Sequence, residues 1–164
     1  MKSAFGLALT IILAGCAVSI PGVTSHTDVP LELKGYRTGM PLLECPVDSV
    51  KSERKGRVLS CVMRGNSLAG TAVKASAIVA LDGSIVTIRH ELERPTGFSQ
   101  PSVLRALTEK FGPPARGASP STWLWSNGND QLQLQEIQGA VVLLDMVKIQ
   151  TMQAVIAKAG VKDL

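Results

Sequence analysis

The sequence predicts an antiparallel α+β fold. Three observations predict it: short runs of apolar–polar alternation, two-residue turn signals between them, and two segments with apolar residues at helical spacing. The chain has 164 residues, of which 45% are hydrophobic and 18% charged. That suits one domain around one core, and does not suit disorder or a polar repeat. Aromatic residues make up only 4%, so the core must be built mainly from Val, Ile, Leu and Ala. No stacking platform for bases is signalled, and a formal net charge of +4 comes without a nucleic-acid motif.

Residues 17–37 carry prolines, glycines and several Ser/Thr, which predicts a tether or extended lead-in with a short strand at 31–33. His26 is expected to be solvated there. The folded domain should begin near residue 38, with Leu42, Leu43 and Cys45 in one helical turn opened by Pro41. Residues 51–57, KSERKGR, then predict a charged loop. It is either a solvated turn or a patch for anionic lipid or a partner's acidic face. Residues 58–63 are apolar and β-branched enough for a strand. Val73, Ala75, Ala77, Val79 and Leu81 alternate with period two, Asp82-Gly83 supplies a hairpin turn, and residues 85–92 return. His90 lies between Arg89 and Glu91, which predicts a mixed solvent face and no catalytic role.

After Pro95-Thr96-Gly97 comes a helix. Ser99 is placed to cap it and Pro101 to sit in its first turn. Val103, Leu104, Leu107 and Phe111 form its buried stripe, and Gly112-Pro113-Pro114 stop it. Residues 122–126 predict a strand, with a turn at Asn127-Gly128. Leu132 and Leu134 alternate with Gln131, Gln133 and Gln135, so the amides should share the opposite face. Gln138-Gly139 turns the chain again, residues 140–146 return, and Ile149, Met152, Val155 and Ile156 predict a closing helix before Gly160. The order suggests two halves, each a helical element followed by a three-stranded meander, braced by one disulfide.

Residues 1–16, MKSAFGLALTIILAGC, combine a positive start at Lys2 with an apolar run from Ala4 to Leu13. That is the build of a secretory signal peptide, and the run is short of the roughly 20 apolar residues a spanning helix needs. It ends in Leu13-Ala14-Gly15-Cys16, which resembles the lipobox of bacterial lipoproteins. The resemblance implies cleavage before Cys16, a diacylglycerol on its thiol (palmitate among the acyl chains) and acylation of the new amine. Each buried CH₂ would add about 0.8 kcal/mol of anchoring. It further implies a periplasm-facing home, with Ala17 after the cysteine pointing to the outer membrane. The same segment admits two other readings: cleavage after Ala17 by an ordinary signal peptidase, or an uncleaved anchor. On these expectations the chain divides into a signal peptide at 1–15, a lipidated N-terminus and tether at 16–37, and a single α+β domain at 38–164.

Three cysteines leave an odd thiol in an oxidising compartment. If Cys16 is consumed by lipidation or cleavage, Cys45 and Cys61 remain as a pair. Their disulfide would be worth about 3 kcal/mol in the chain-entropy model. A redox pair would more usually read Cys-x-x-Cys, and a metal site would want further ligands.

A short helical lead beginning Gly39-Met40, and a helix ending Lys110-Phe111-Gly112-Pro113-Pro114 before a Trp-bearing meander, resemble a known architecture. It is that of the outer-membrane assembly lipoproteins and the β-lactamase-inhibitor-protein-like fold, with residues 39–43 and 104–125 carrying the likeness. The resemblance implies a non-catalytic module that binds other cell-envelope proteins through one sheet face.

No Ser-His-Asp arrangement, phosphate loop, paired catalytic carboxylates or metal-ligand cluster is signalled. No catalytic residue, cofactor or metal is therefore expected. Trp123 and Trp125 share a strand at i, i+2, so they project from one face. They either pack in the core under the 102–111 helix or stand exposed beside the glutamine row as a binding patch. The expected function is that of a lipid-anchored envelope protein acting through protein–protein interaction. The alternative is a ligand-binding or enzyme-inhibitor lipoprotein.

Overall fold

The computed structural model describes residues 25–93 and 100–162. Among the described residues, nine strands and two helices follow in chain order. The first group is β1 (Ser49–Lys55), β2 (Val58–Arg64), β3 (Ser67–Leu68), β4 (Thr71–Leu81) and β5 (Ser84–Leu92). Helix α1 (Pro101–Phe111) leads to β6 (Ala115–Arg116), β7 (Thr122–Asn127), β8 (Asp130–Gln135) and β9 (Ala140–Asp145), and α2 (Lys148–Lys162) closes the chain. One antiparallel sheet holds the strands in the order β1-β2-β4-β5-β9-β8-β7-β6, with β3 a small hairpin tab on β4. The α+β class and its antiparallel meanders are as the alternation predicted.

Turn chemistry sets the registers. Asp82 and Gly83 both have positive φ, 52° and 75°, as the two-residue loop between β4 and β5 requires. Between β7 and β8 the loop is Gly128-Asn129, one residue later than predicted. Asn127 pairs with Asp130 instead, and Gly128 takes the positive φ that the turn needs.

Period two divides the sheet into two faces. Leu59, Cys61, Met63, Ile78, Ile88, Trp125, Leu132, Leu134, Val141 and Leu143 face one way. The α1 stripe of Val103, Leu107 and Phe111 covers them. Val58, Leu81, Val86, Val142 and Leu144 face the other way, under Ile149 and Met152 of α2. Strand β9 lies between two covered faces and is buried throughout, which is why its sequence, AVVLLD, is a continuous apolar run rather than an alternation.

Several expectations shift. Residues 25–45 are not a free tether followed by a helical turn. They form an irregular strap across the α1 side of the sheet, and they include no helix. Leu31 and Leu33, each 1% exposed, and Leu42 belong to the core. The strap pairs with β7 at its start: Thr27 donates to the Ser126 carbonyl and Ser126 donates to that of Ser25. It then meets the β4–β5 turn through Gly39, Met40 and Leu42. The folded body therefore includes residues assigned to the tether. KSERKGR is mostly edge strand β1, with Gly56 and Arg57 as its turn. With β1 and the two-residue β6, each meander has four strands rather than three. Ser99 lies outside the described residues. Gln100 occupies the N-cap of α1 without a side-chain cap bond. Helix α2 runs through Gly160 instead of ending before it.

Candidate functional site

The two cysteines of the domain form a disulfide, Cys45–Cys61. It fastens the end of the strap to β2, in the second position of the sheet. Cys16 lies outside the described residues.

Trp123 and Trp125 do project from one face, and it is the α1 face. Trp125 is fully buried, and its Nε1 donates to the Gly112 carbonyl at 2.8 Å, tying the helix terminus to β7. It has no surface to offer a partner. Trp123 is partly buried against the same core, with the Arg116 guanidinium stacked 3.5 Å from its ring centroid. Neither lies beside the glutamine row: Trp123 pairs with Leu134 and Trp125 with Leu132, so the amides are on the reverse side of the sheet.

His90 is a correction. It is 3% exposed and sits on the α1 face, in register with Ser76 and Val141. Its neighbours Arg89 and Glu91 point the opposite way. The signal was present in the alternation Ile88–His90–Leu92. Ser76 Oγ and His90 Nδ1 are 2.6 Å apart, while Nε2 is buried with no hydrogen-bond partner among the described residues. Burial, helped by the Lys34 charge, lowers the imidazole pKa to about 4, so the ring is neutral near pH 7. His26 is exposed, 3.7 Å from Asp28.

The α2 side of the sheet is only partly covered. Val62 and Arg64 on β2, Ala75 and Ala77 on β4, Arg89 on β5 and Leu124 on β7 share this face, and none of them is buried. Gln131, Gln133 and Gln135 on β8 form a hydrogen-bonded ladder there. Gln133 Nε2 donates to Gln131 Oε1 at 2.7 Å, and Gln135 Nε2 donates to Gln133 Oε1 at 2.8 Å. All three amides are thereby oriented one way. Each still has hydrogen-bonding capacity to spare, because a primary amide carries two donors and two acceptor lone pairs.

This arrangement is suited to binding through hydrogen bonds and charge. Covered strand β9 divides this face in two, with the row of neutral amides on one side and the exposed guanidinium groups with small apolar side chains on the other, a mixed character like that of protein-recognition surfaces. A separate cleft of about 220 Å³ lies between the strap and α1, lined by Leu33, Val103, Leu107 and Phe111. Glu32 and Lys110 close its rim with a 2.7 Å ion pair, which lowers the Glu32 pKa through the hydrogen bond and the lysine charge. Among the described residues, no group of three His, Cys, Asp or Glu is gathered for a metal, and no helix is long and apolar enough to cross a membrane. Comparison with family models, with curated proteins and with solved structures finds no match to this chain.

Proposed function

We propose that the chain is an exported, lipid-anchored protein of the cell envelope that works as a non-catalytic docking module for another protein. Cys16 carries the lipid, and the periplasmic leaflet of the outer membrane is the membrane it enters. The partner seats on the uncovered part of the α2 side of the sheet. One observation carries this reading: on either side of covered strand β9 the α2 face stays open, with the glutamine ladder on one side and two exposed arginines on the other. The Cys45–Cys61 disulfide supports the export half, because disulfides persist in oxidising compartments.

The strand order supports a finer proposal, that the body is two weakly related halves. The order runs inward from β1 to β5 and outward from β9 to β6, as a twofold axis between β5 and β9 would give. The strap and α1 then correspond, each preceding its meander and covering the same side, and α2 is an addition.

The anchor is tested by metabolic labelling with palmitate. The parent chain should be labelled and Cys16→Ser should not; an unlabelled parent ends the lipoprotein half of the proposal. Docking is tested with a photo-crosslinking residue replacing Gln133 in the full chain in its native envelope. A discrete protein adduct is expected there and not from a control position at Arg105 on α1. The strap–α1 cleft favours a second reading, a small amphiphilic ligand site. Under that reading, Leu107→Trp should abolish a ligand-induced thermal shift that Gln133→Ala leaves intact.

A further inference from the structure

We infer that the partner on the open face is engaged through its carboxylates: Arg64 and Arg89 receive an acidic, extended segment of another protein. This rests on the docking reading above and names the chemistry of what docks. Both side chains are exposed, and among the described residues neither has an ion-pair or hydrogen-bond partner. Cations elsewhere on the sheet are engaged. Lys51 and Lys55 hold Glu53, Arg57 holds Asp82, and Lys74 holds Glu91. Glu91, two strands across from Arg64 and two residues along β5 from Arg89, is drawn to Lys74 at 3.5 Å.

Register fixes the spacing. Arg64 is opposite Ala75, and Arg89 is opposite Ala77. Because β4 separates β2 from β5, the two arginines are offset by about 10 Å across the strands and about 7 Å along them. The diagonal is about 12 Å. In an extended chain, residues i and i+4 lie about 13 Å apart, so one strand with two carboxylates four positions apart would meet both guanidinium groups. Between the arginines the surface is Ala75, Ala77 and Val62, low enough for a partner's backbone to approach closely. Guanidinium groups take carboxylates in two-pronged hydrogen bonds and are enriched among energetically dominant interface residues.

A photo-crosslinking residue at Ala77 of the full chain, in its native envelope, tests this. The captured peptide should carry Asp or Glu at i and i+4. Arg64→Glu/Arg89→Glu should reduce the adduct at least tenfold, and Arg105→Glu, on the covered side, should not. A protein adduct that lacks acidic residues and ignores the double substitution overturns the carboxylate inference and leaves docking standing. No protein adduct, or lipid adducts alone, overturns both. In parallel, immobilised poly-L-glutamate should bind the purified chain in a salt-sensitive way, at least tenfold more weakly after Arg64→Gln/Arg89→Gln. Arg64→Lys/Arg89→Lys, which keeps charge but loses the two-pronged geometry, should fall between. Equal binding by the parent and the Gln variant, or preference for phosphatidylglycerol vesicles over polyglutamate, would also overturn it.

Discussion

His90 shows how much a single side chain can govern in this fold. In the folded chain its pKa is lowered to about 4, chiefly by burial, whereas an unfolded chain titrates near 6.5. Between those values the unfolded state binds the extra proton, so stability is full above about pH 6.5 and declines as pH falls toward 4. We expect the parent to lose about 2 kcal/mol between pH 7 and pH 5 from this residue alone. Urea melts of the parent and of His90→Phe at both pH values check this, with the variant showing a smaller loss. An equal loss in both would place the titration elsewhere. The residue's position was legible in the spacing of Ile88, His90 and Leu92, but adjacent Arg89 and Glu91 masked it. The two-residue spacing put both tryptophans on one face and the three glutamines opposite Leu132 and Leu134, but only the β7–β8 register shows that tryptophans and glutamines take opposite faces and that Trp125 is the buried one. What no spacing reveals is the juxtaposition of Arg64 and Arg89, because it depends on how β2 and β5 each align with β4.

Among the elements, those facing a core announced themselves and those facing water did not. Strand β1 has no buried residue, so the hydrophobic period that betrays β4 and β5 is absent, and its charges look like a loop. Those charges have a purpose at the end of a sheet. An unpaired edge invites other strands, and lysine on the edge discourages them. Lys51→Val/Lys55→Val should therefore self-associate at concentrations where the parent is monodisperse by light scattering, and an unchanged molecular mass would count against edge protection. Helix α2 illustrates a different device. Asp145 Oδ1 accepts the backbone N–H groups of Val147 and Lys148 at 3.0 and 2.9 Å, satisfying donors that every helix start leaves open. Asp145→Ala should cost about 1 kcal/mol in thermal or urea unfolding, and no measurable cost would mean that other groups take up those donors. The strap was the least legible element. Its two core leucines suggested a short strand, but its irregular course is set by distant partners in β7 and the β4–β5 turn, which local sequence does not encode.

For the molecule as a whole, the strap decides where the folded body begins. Leu31 and Leu33 are 1% exposed, and truncating such residues typically costs about 2–5 kcal/mol each. Losing both approaches the total stability of an ordinary domain, about 5–15 kcal/mol. A chain starting at residue 38 should thus fail to unfold cooperatively, while one starting at residue 25 should do so; circular dichroism melts separate the two. Breaking Cys45–Cys61, by reduction or by Cys45→Ser/Cys61→Ser, should lower stability by about 3 kcal/mol without altering the sheet's spectrum. The disulfide and the strap together have a mechanical consequence. A force applied at the N-terminal end is received first by the two backbone bonds between residues 25–27 and Ser126, which would open one after the other like a zip. Further along, the load meets a covalent crossbar between Cys45 and β2. The strap is thus a fuse of limited length: the bonds before residue 28 can give way and re-form under tension while Leu31 and Leu33 stay seated, and a load that reaches the crossbar enters β2 and bypasses β1, which the disulfide ring encloses.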